Sequence, residues 1–426
     1  MKEKLLNNVV LKNASWLMLG KVMQMLLSLI VGVLTARYLG PKNYGLINYG
    51  ASYVALFSSL CTLGINSIIV KEFIDKPKQQ GEAIGTTLVL RAIASLLSIV
   101  TIMSVVFVVD GDERTTIIVV AICSLSLFFH IFEVFNYWFQ SQYKSKVTAI
   151  VTFTAYAIVS IYKIILLVKD ADIYWFAFST SLDYICVAAL LYLTFRKNKG
   201  PRLSFSKIKA KEILTKSYHY ILAGMMVSIY GQTDKFMLKQ MLDESAVGYY
   251  ATSTAICGMW TFVLAAIIDA MVPRIAELHK NNKEEYYKKN RQLYAIVFYL
   301  SIFVSLFFLI FGELVVKILY GESYLPAVQP LKIITWYTAF SYLGTARNIW
   351  MVCENKQKYL KYIYVGAAVM NVIMNLILIP IWGTSGAAAA SLLTQIATSI
   401  ILPFFIKALR PNAKLMLQAI LLKNIK

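Results

Sequence analysis

The chain is poor in the residues that build catalytic and metal centres. Three histidines and five cysteines are spread over 426 residues. His130 and His219 lie in or beside apolar segments and His279 in a basic connection, and a lone histidine is more often structural than catalytic. Cys61, Cys123, Cys186, Cys257 and Cys353 fall in or at the ends of different apolar segments without metal-ligand spacing, so they read as small packing residues. Acids are scarce as well: 22 Asp and Glu against 42 Lys and Arg leave a net charge of +20. Long polar stretches are missing, since 58% of the residues are apolar, and no room remains for a sizeable soluble domain. The first apolar run is too long for a signal-peptide core and lacks a small-x-small cleavage site, which makes it a retained first helix. No catalytic residue, metal site or cofactor is expected.

What is present is a ladder of apolar runs of about 20 residues, the length that crosses a bilayer as a helix. About twelve are expected, near 14–36, 46–69, 83–108, 115–139, 147–167, 173–195, 217–238, 248–271, 292–312, 327–351, 362–380 and 384–406. Alternate connections collect 30 of the Lys and Arg residues, against six on the opposite side. Basic loops stay in the cytoplasm, so both termini are expected there, in a multi-pass protein of a bacterial plasma membrane. A basic face spread over seven connections marks topology and contact with anionic membrane lipids, not nucleic acid. The opposite connections are short, roughly ten residues, within the range of helix-to-helix links. An enzyme that polymerises or ligates sugars would be expected to carry a larger outer loop with paired acids or a histidine.

The longest basic links, near 196–216 and 272–291, organise the chain. The first separates an N-terminal six-helix bundle, 1–195, from a C-terminal one, 217–406, with an amphipathic cytoplasmic tail over 407–426 that would lie on the inner leaflet. A weak internal echo at an offset of 203 residues aligns Leu39 with Leu242 and Gly45 with Gly248. Such an offset suits parallel halves related by an axis along the membrane normal.

Several segments carry a family resemblance: ARYLGPKNYGLINY, YWFQSQYKSK, TDKFMLKQMLDESAVGYYATS, LYGESYLPA, and ENKQKY followed by NVIMNLILIPIWGTSGAAAAS. Nearly end to end, the chain resembles the oligosaccharide flippases of the polysaccharide transporter family, relatives of lipid II flippases and multidrug exporters. The resemblance implies an all-α integral membrane protein with two six-helix bundles around a central, cationic cavity. It implies as cargo an undecaprenyl-pyrophosphate-linked oligosaccharide, moved from the inner to the outer leaflet, with polysaccharide polymerase and assembly proteins as candidate partners. Ser141 and Lys239 stand where the family usually has glycine, and Lys239 would add a cation near the outer mouth.

A pyrophosphate cannot enter hydrocarbon unpaired, so cations inside the spans are the place to look. The apolar segments hold Lys21, Arg91, Lys163, Lys235, Lys332 and Arg347 against Glu133, Asp183, Asp234 and Asp269, a net of +2. Lys21, Arg91, Lys235 and Arg347 are the expected substrate-binding cations. Lys163, Lys332 and Arg347 lie close enough to span ends to snorkel to headgroups instead. Asp183, Asp234 and Asp269 are candidates to bind a coupling ion, H+ or Na+. Asp234 and Lys235 point about 100 degrees apart on a helix, so one can face a cavity while the other meets a neighbouring helix. Asn371 and Asn375, at i and i+4, are expected to bond between helices, and GTSGAAAAS to allow close packing. Tyr38, Trp138, Tyr174 and Trp382 read as interfacial anchors.

The leading reading is therefore an alternating-access flippase. One alternative is an ion-coupled multidrug exporter, whose cavity should be acidic and aromatic. Another is a lipid II flippase, a group that usually has fourteen spans.

Overall fold

The computed structural model describes the backbone of residues 2–423 and the side chains of 23–423, apart from those of residues 26, 67, 222 and 223. Among the described residues every regular element is helical. The helices are α1 (Lys2–Thr62), α2 (Asn66–Asp75), α3 (Gln80–Val109), α4 (Arg114–Phe129), α5 (Val134–Ser141), α6 (Ser145–Val168), α7 (Ile173–Lys197) and α8 (Lys207–Met241). They continue with α9 (Glu244–Gly258), α10 (Thr261–Asn281), α11 (Lys283–Tyr320), α12 (Val328–Cys353), α13 (Leu360–Trp382), α14 (Thr384–Ile396), α15 (Leu402–Phe405) and α16 (Arg410–Ile420). Every expected apolar segment is helical over nearly its whole length. Among the described residues, eight helices are long and apolar enough to cross a membrane, or nine if α9 and α10, bent by 43°, form one span. The protein is an all-α, multi-pass integral membrane protein. In hydrocarbon each backbone group needs a partner within its own segment, and helices supply it.

The breaks in these helices are where the sequence and the structure part. The first two expected spans form one helix kinked at Gly40, whose φ of 70° and ψ of 171° only glycine adopts readily, with Pro41 following. The second span then breaks at Leu63 and Gly64, both at positive φ. The fourth breaks into a 3-10 turn, His130–Glu133. Residues at i and i+3 eclipse in such a turn, which brings His130 Nε2 to 3.2 Å from Glu133 Oε2. The last breaks into a π segment, Ala397–Ile401, just before Pro403, which has no N–H to continue the α-helical ladder. The link expected at 272–291 is largely helical: α10 and α11 extend until Asn282 alone separates them, its side chain capping Glu285 N at 3.1 Å.

The chain divides into two compact units, residues 1–39 with 46–228 and residues 40–45 with 229–426. In the first unit α7 packs on α4 and α6, α3 on α4, and α2 on α5. Trp138, expected at the membrane interface, is 6% exposed. Its indole N–H donates to Gln80 Oε1 at 2.9 Å, which explains its inward orientation. Phe73, Phe135, Phe139 and Phe195 surround it in the core.

The segment expected as a linker, 196–216, is tied to this unit. Ser204 N donates to Gly81 O at 3.3 Å and Ser206 N to Thr86 Oγ1 at 3.1 Å. A Cβ at Gly81 or Gly85, one turn apart on α3, would overlap the carbonyl of Arg202 or Ser204. Lys209 Nζ lies 2.6 Å from Glu72 Oε1 and 3.1 Å from Glu212 Oε2, while Lys76 and Lys216 close the cluster. Burial pushes the Glu72 carboxyl up, but hydrogen bonds from Lys209 and Lys76 outweigh it and hold it below its usual range. Hydrogen bonds from Lys216 and Lys209 draw Glu212 from 4.5 down to about 2.

In the second unit α12 packs on α11, α14 and α9, and α13 on α14. Gly386 on α14 lies so close to α13 that a Cβ would overlap Leu378 O, and Ala387, Ala388 and Ala390 are fully buried. The tail helix α16 does not leave its apolar face to lipid. Leu415, Met416 and Ala419 join the core with Tyr294 and Trp350, and Asn412 Nδ2 donates to Tyr294 OH at 2.7 Å. Residues 40–45 pack here as well. A Cβ at Gly45 would overlap Glu244 O, and one at Gly248 would overlap Pro41 O. The two glycines paired by the sequence echo thus meet face to face.

Two outcomes follow from this packing. Gly45→Val and Gly248→Val should each lower the melting temperature of purified protein, since overpacking typically costs about 1–3 kcal/mol. Gly32→Ala, where a Cβ meets nothing within 4 Å, should not. The depressed carboxylates of Glu72 and Glu212 stabilise the tether above their unfolded pKa and lose that contribution as pH falls from 4.5 toward about 2. A spin label at Lys207 should keep constant mobility from pH 8 to 5 and loosen below, whereas Glu72→Gln should loosen it at neutral pH.

Candidate functional site

Four helices of the second unit converge on one buried carboxylate. On α8, Tyr230 and Asp234 share a face at i and i+4, with Gly231 and Lys235 on the adjoining stripe. Asp234 is 6% exposed and four side chains donate to it. Asn371 and Asn375 of α13 donate their amide N–H groups to Oδ1 at 3.1 and 2.7 Å. Ser391 of α14 donates to Oδ2 at 2.6 Å, and the Tyr250 hydroxyl of α9 donates to the same oxygen. A carboxylate out of water is tolerable only when its lone pairs are answered, and here both oxygens are.

Chemically the donors fall into two kinds. The amides of Asn371 and Asn375 present N–H groups that cannot become acceptors without turning over. The hydroxyls of Tyr250 and Ser391 can reverse and accept. A proton placed on Oδ2 would therefore keep a partner, while Oδ1 would keep both amide bonds. Neutralising Oδ2 would thus turn over a bond that holds α9 or α14 to α8.

Beside this network lies a cavity of about 390 Å³. Its walls are Tyr230, Gly231, Asp234 and Lys235 of α8; Tyr250, Thr254 and Cys257 of α9; Ile334, Tyr337, Thr338, Ser341 and Tyr342 of α12; and Ser391 of α14. The spacings along α9 and α12 are those of single helix faces. Tyr230 OH donates to Gln395 Oε1 at 2.8 Å, bracing that wall against α14. Lys235 is half-buried, and among the described residues no carboxylate lies within 4.0 Å of its ammonium group. The cavity thus offers one cation, the already hydrogen-bonded Asp234 carboxylate, a row of hydroxyls and aromatic faces.

The other expected site residues lie elsewhere. Arg91 is fully buried in the first unit. Its Nη2 donates to Thr62 O at 3.2 Å and Asn66 Oδ1 at 3.0 Å, and its guanidinium lies 5.6 Å from the Tyr137 ring centre. It thereby caps the carbonyl end of α1 at the break before α2, where a cation is favoured. Arg347 is 4% exposed and does not snorkel. Its Nη1 donates to Thr398 O at 2.9 Å, filling the π segment, and it is absent from the cavity wall. The Lys21 side chain lies outside the described residues. Asp183 on α7 sits within electrostatic reach of Lys163 on α6, and Asp269 is exposed on α10. Lys239 is no extra open cation, because it is buried and its Nζ lies 3.3 Å from Glu244 Oε1.

Residues 10–279 match the family model described as polysaccharide biosynthesis protein. The chain belongs to that family. It is similar to the capsular polysaccharide biosynthesis protein CapF of Staphylococcus aureus, with 20% identity over 409 residues, 93% of this chain and 99% of CapF. Its fold resembles the lipid II flippase MurJ in an inward closed conformation, with a TM-score of 0.75 and 13% identity, covering 95% of this chain and 90% of MurJ. It also resembles an inward-facing multidrug resistance MATE family transporter of the MOP superfamily, with a TM-score of 0.69 and 16% identity, covering 93% and 96% of the two chains. The family member described here therefore shares the fold of these transporters.

The sequence did not tie Tyr250 or Ser391 to Asp234. Its one usable signal was periodic: polar residues at i and i+4 inside apolar spans, as in Tyr230 with Asp234 and Asn371 with Asn375. Asp234→Ala should leave four buried donors short of an acceptor, each worth about 1–3 kcal/mol, and lower the melting temperature sharply. Lys235→Ala, which removes no ion pair, should leave it nearly unchanged.

Proposed function

We propose that the protein is a flippase for undecaprenyl-pyrophosphate-linked oligosaccharide units. It moves them from the inner to the outer leaflet of a bacterial plasma membrane by alternating access, for surface polysaccharide biosynthesis, with both termini in the cytoplasm. The observation that carries this reading is Lys235, a cation without a carboxylate partner in the wall of a hydroxyl-lined cavity. A lysine ammonium is a point charge suited to phosphate, hydroxyls and tyrosine faces suit sugars, and membership of the polysaccharide biosynthesis family supports the same cargo.

An exporter of amphiphilic cations fits less well. It would need a carboxylate free to meet the drug, and both oxygens of Asp234 are occupied by donors from its own helices. Asp234 is instead the coupling residue in this proposal. A cation, H+ or Na+, neutralises it and changes how α8, α9, α13 and α14 hold together. The membrane potential adds about 2.3 kcal/mol per charge per 100 mV to such a step. Asp183 beside Lys163, and exposed Asp269, are weaker candidates for the same role.

In cells depleted of the protein, complete lipid-linked oligosaccharide units should accumulate on the cytoplasmic leaflet, inaccessible to an impermeant glycosidase. Lys235→Ala should reproduce this while reaching the membrane, because a charged hydrogen bond contributes about 1.5–3 kcal/mol. Gly231→Leu should block export too, since a Cβ there meets nothing within 4 Å and the side chain would enter the cavity. Normal surface glycan in depleted cells, with new sensitivity to cationic dyes, would overturn the proposal in favour of drug export.

A further inference from the structure

A second cavity lies at one end of the last two apolar helices, away from the Asp234 network. It has a volume of about 480 Å³ and is lined by Tyr359, Tyr362, Ile363, Leu402 and Ile406. Its lining is therefore aliphatic and aromatic. The cavity closes where α13 meets α15, since a Cβ at Gly366 would lie 3.1 Å from Leu402 Cδ1. It opens where α15 stops at Phe405 and the chain turns through Ile406 in an extended conformation. Gln357–Trp382 and Thr384–Phe405 are both long and apolar enough to cross a membrane, so this groove sits at the level of the lipid headgroups.

Its rim is cationic. Lys358 Nζ lies 5.4 Å from the centre of the Tyr359 ring, and Lys361 Nζ lies 4.9 Å from that of Tyr362. Both rings also line the groove, so the two ammonium groups stand at its mouth. Both lysines are exposed, and neither takes part in an ion pair among the described residues.

We propose that this groove binds one anionic phospholipid, with an acyl chain in the Tyr359–Ile406 slot and the phosphate on Lys358 and Lys361. An apolar slot alone would accept any hydrocarbon, but two unpaired ammonium groups at its mouth select an amphiphile with an anionic head. The slot is closed at the Gly366–Leu402 contact and encloses a single short chain. A polyprenyl chain several times longer would project from it. This site is independent of the transport cavity and of the cargo proposed above.

The full-length protein, purified and returned to bilayers, would be exposed to phosphatidylglycerol carrying a diazirine on one acyl chain, and in parallel to the matched phosphatidylcholine. Crosslinks read by mass spectrometry should concentrate on residues 359–366 and 402–406 with phosphatidylglycerol and be several-fold weaker with phosphatidylcholine. A basic residue near a membrane surface contributes roughly fivefold in affinity, so Lys358→Gln with Lys361→Gln should reduce this labelling roughly thirtyfold. Leu402→Trp, which fills the slot, should abolish it, and the melting temperature of each variant would confirm that it is folded. Equal labelling by the two lipids, or labelling unchanged in the double lysine variant, would overturn the proposal. So would displacement of the probe by equimolar undecaprenyl phosphate, which would assign the groove to a prenyl chain.

Discussion

A charge within an apolar helical bundle must find its partners inside the protein, and much of this structure follows from how that demand is met. Asp234 shows it most fully. Its two oxygens draw in Asn371, Asn375, Tyr250 and Ser391 from three helices, so one carboxylate fixes the spacing of α8, α9, α13 and α14. The neighbouring Lys235 is spared this role and is left to line the cavity. Two adjacent residues border the same cavity, but Asp234 is held by donors from three helices while Lys235 has no carboxylate within 4.0 Å among the described residues.

The buried arginines meet the same demand at broken helices. Arg91 answers the carbonyl of Thr62 where α1 ends, and Arg347 answers that of Thr398 within the π segment. A break in a helix disturbs the carbonyl ladder at its end, and a guanidinium with several donors can add a bond to such a carbonyl. These breaks therefore come with their own compensation. The break between α4 and α5 is similar in kind, with His130 and Glu133 facing one another across a single 3-10 turn.

Much of the fold was legible in the residues. All the expected apolar segments are helical because a 20-residue apolar run has few other ways to satisfy its backbone in lipid. Asn371 with Asn375, and the run from Gly383 to Ser391, were readable because i and i+4 spacing and small residues each imply a helix-to-helix contact. Trp138 misled because aromatic residues at span ends look alike in sequence. Only the partner, here Gln80 at 2.9 Å, separates an interfacial tryptophan from a core one. The segment 196–216 misled in the same way: its lysines look like a solvated linker until Glu72 is found beside Lys209.

The sequence by itself determined that the chain is a helical membrane protein, how its apolar segments are spaced, and which charges lie within them. These are properties of local composition and period. Tertiary structure alone decided which of those charges is spent on packing and which faces open space, because that depends on contacts between residues 137 to 157 positions apart, as in Asp234 with Asn371 and Ser391. Arg91, Arg347 and Lys235 are equivalent cations in one dimension. In three, two of them donate to backbone carbonyls at helix breaks and one borders a cavity.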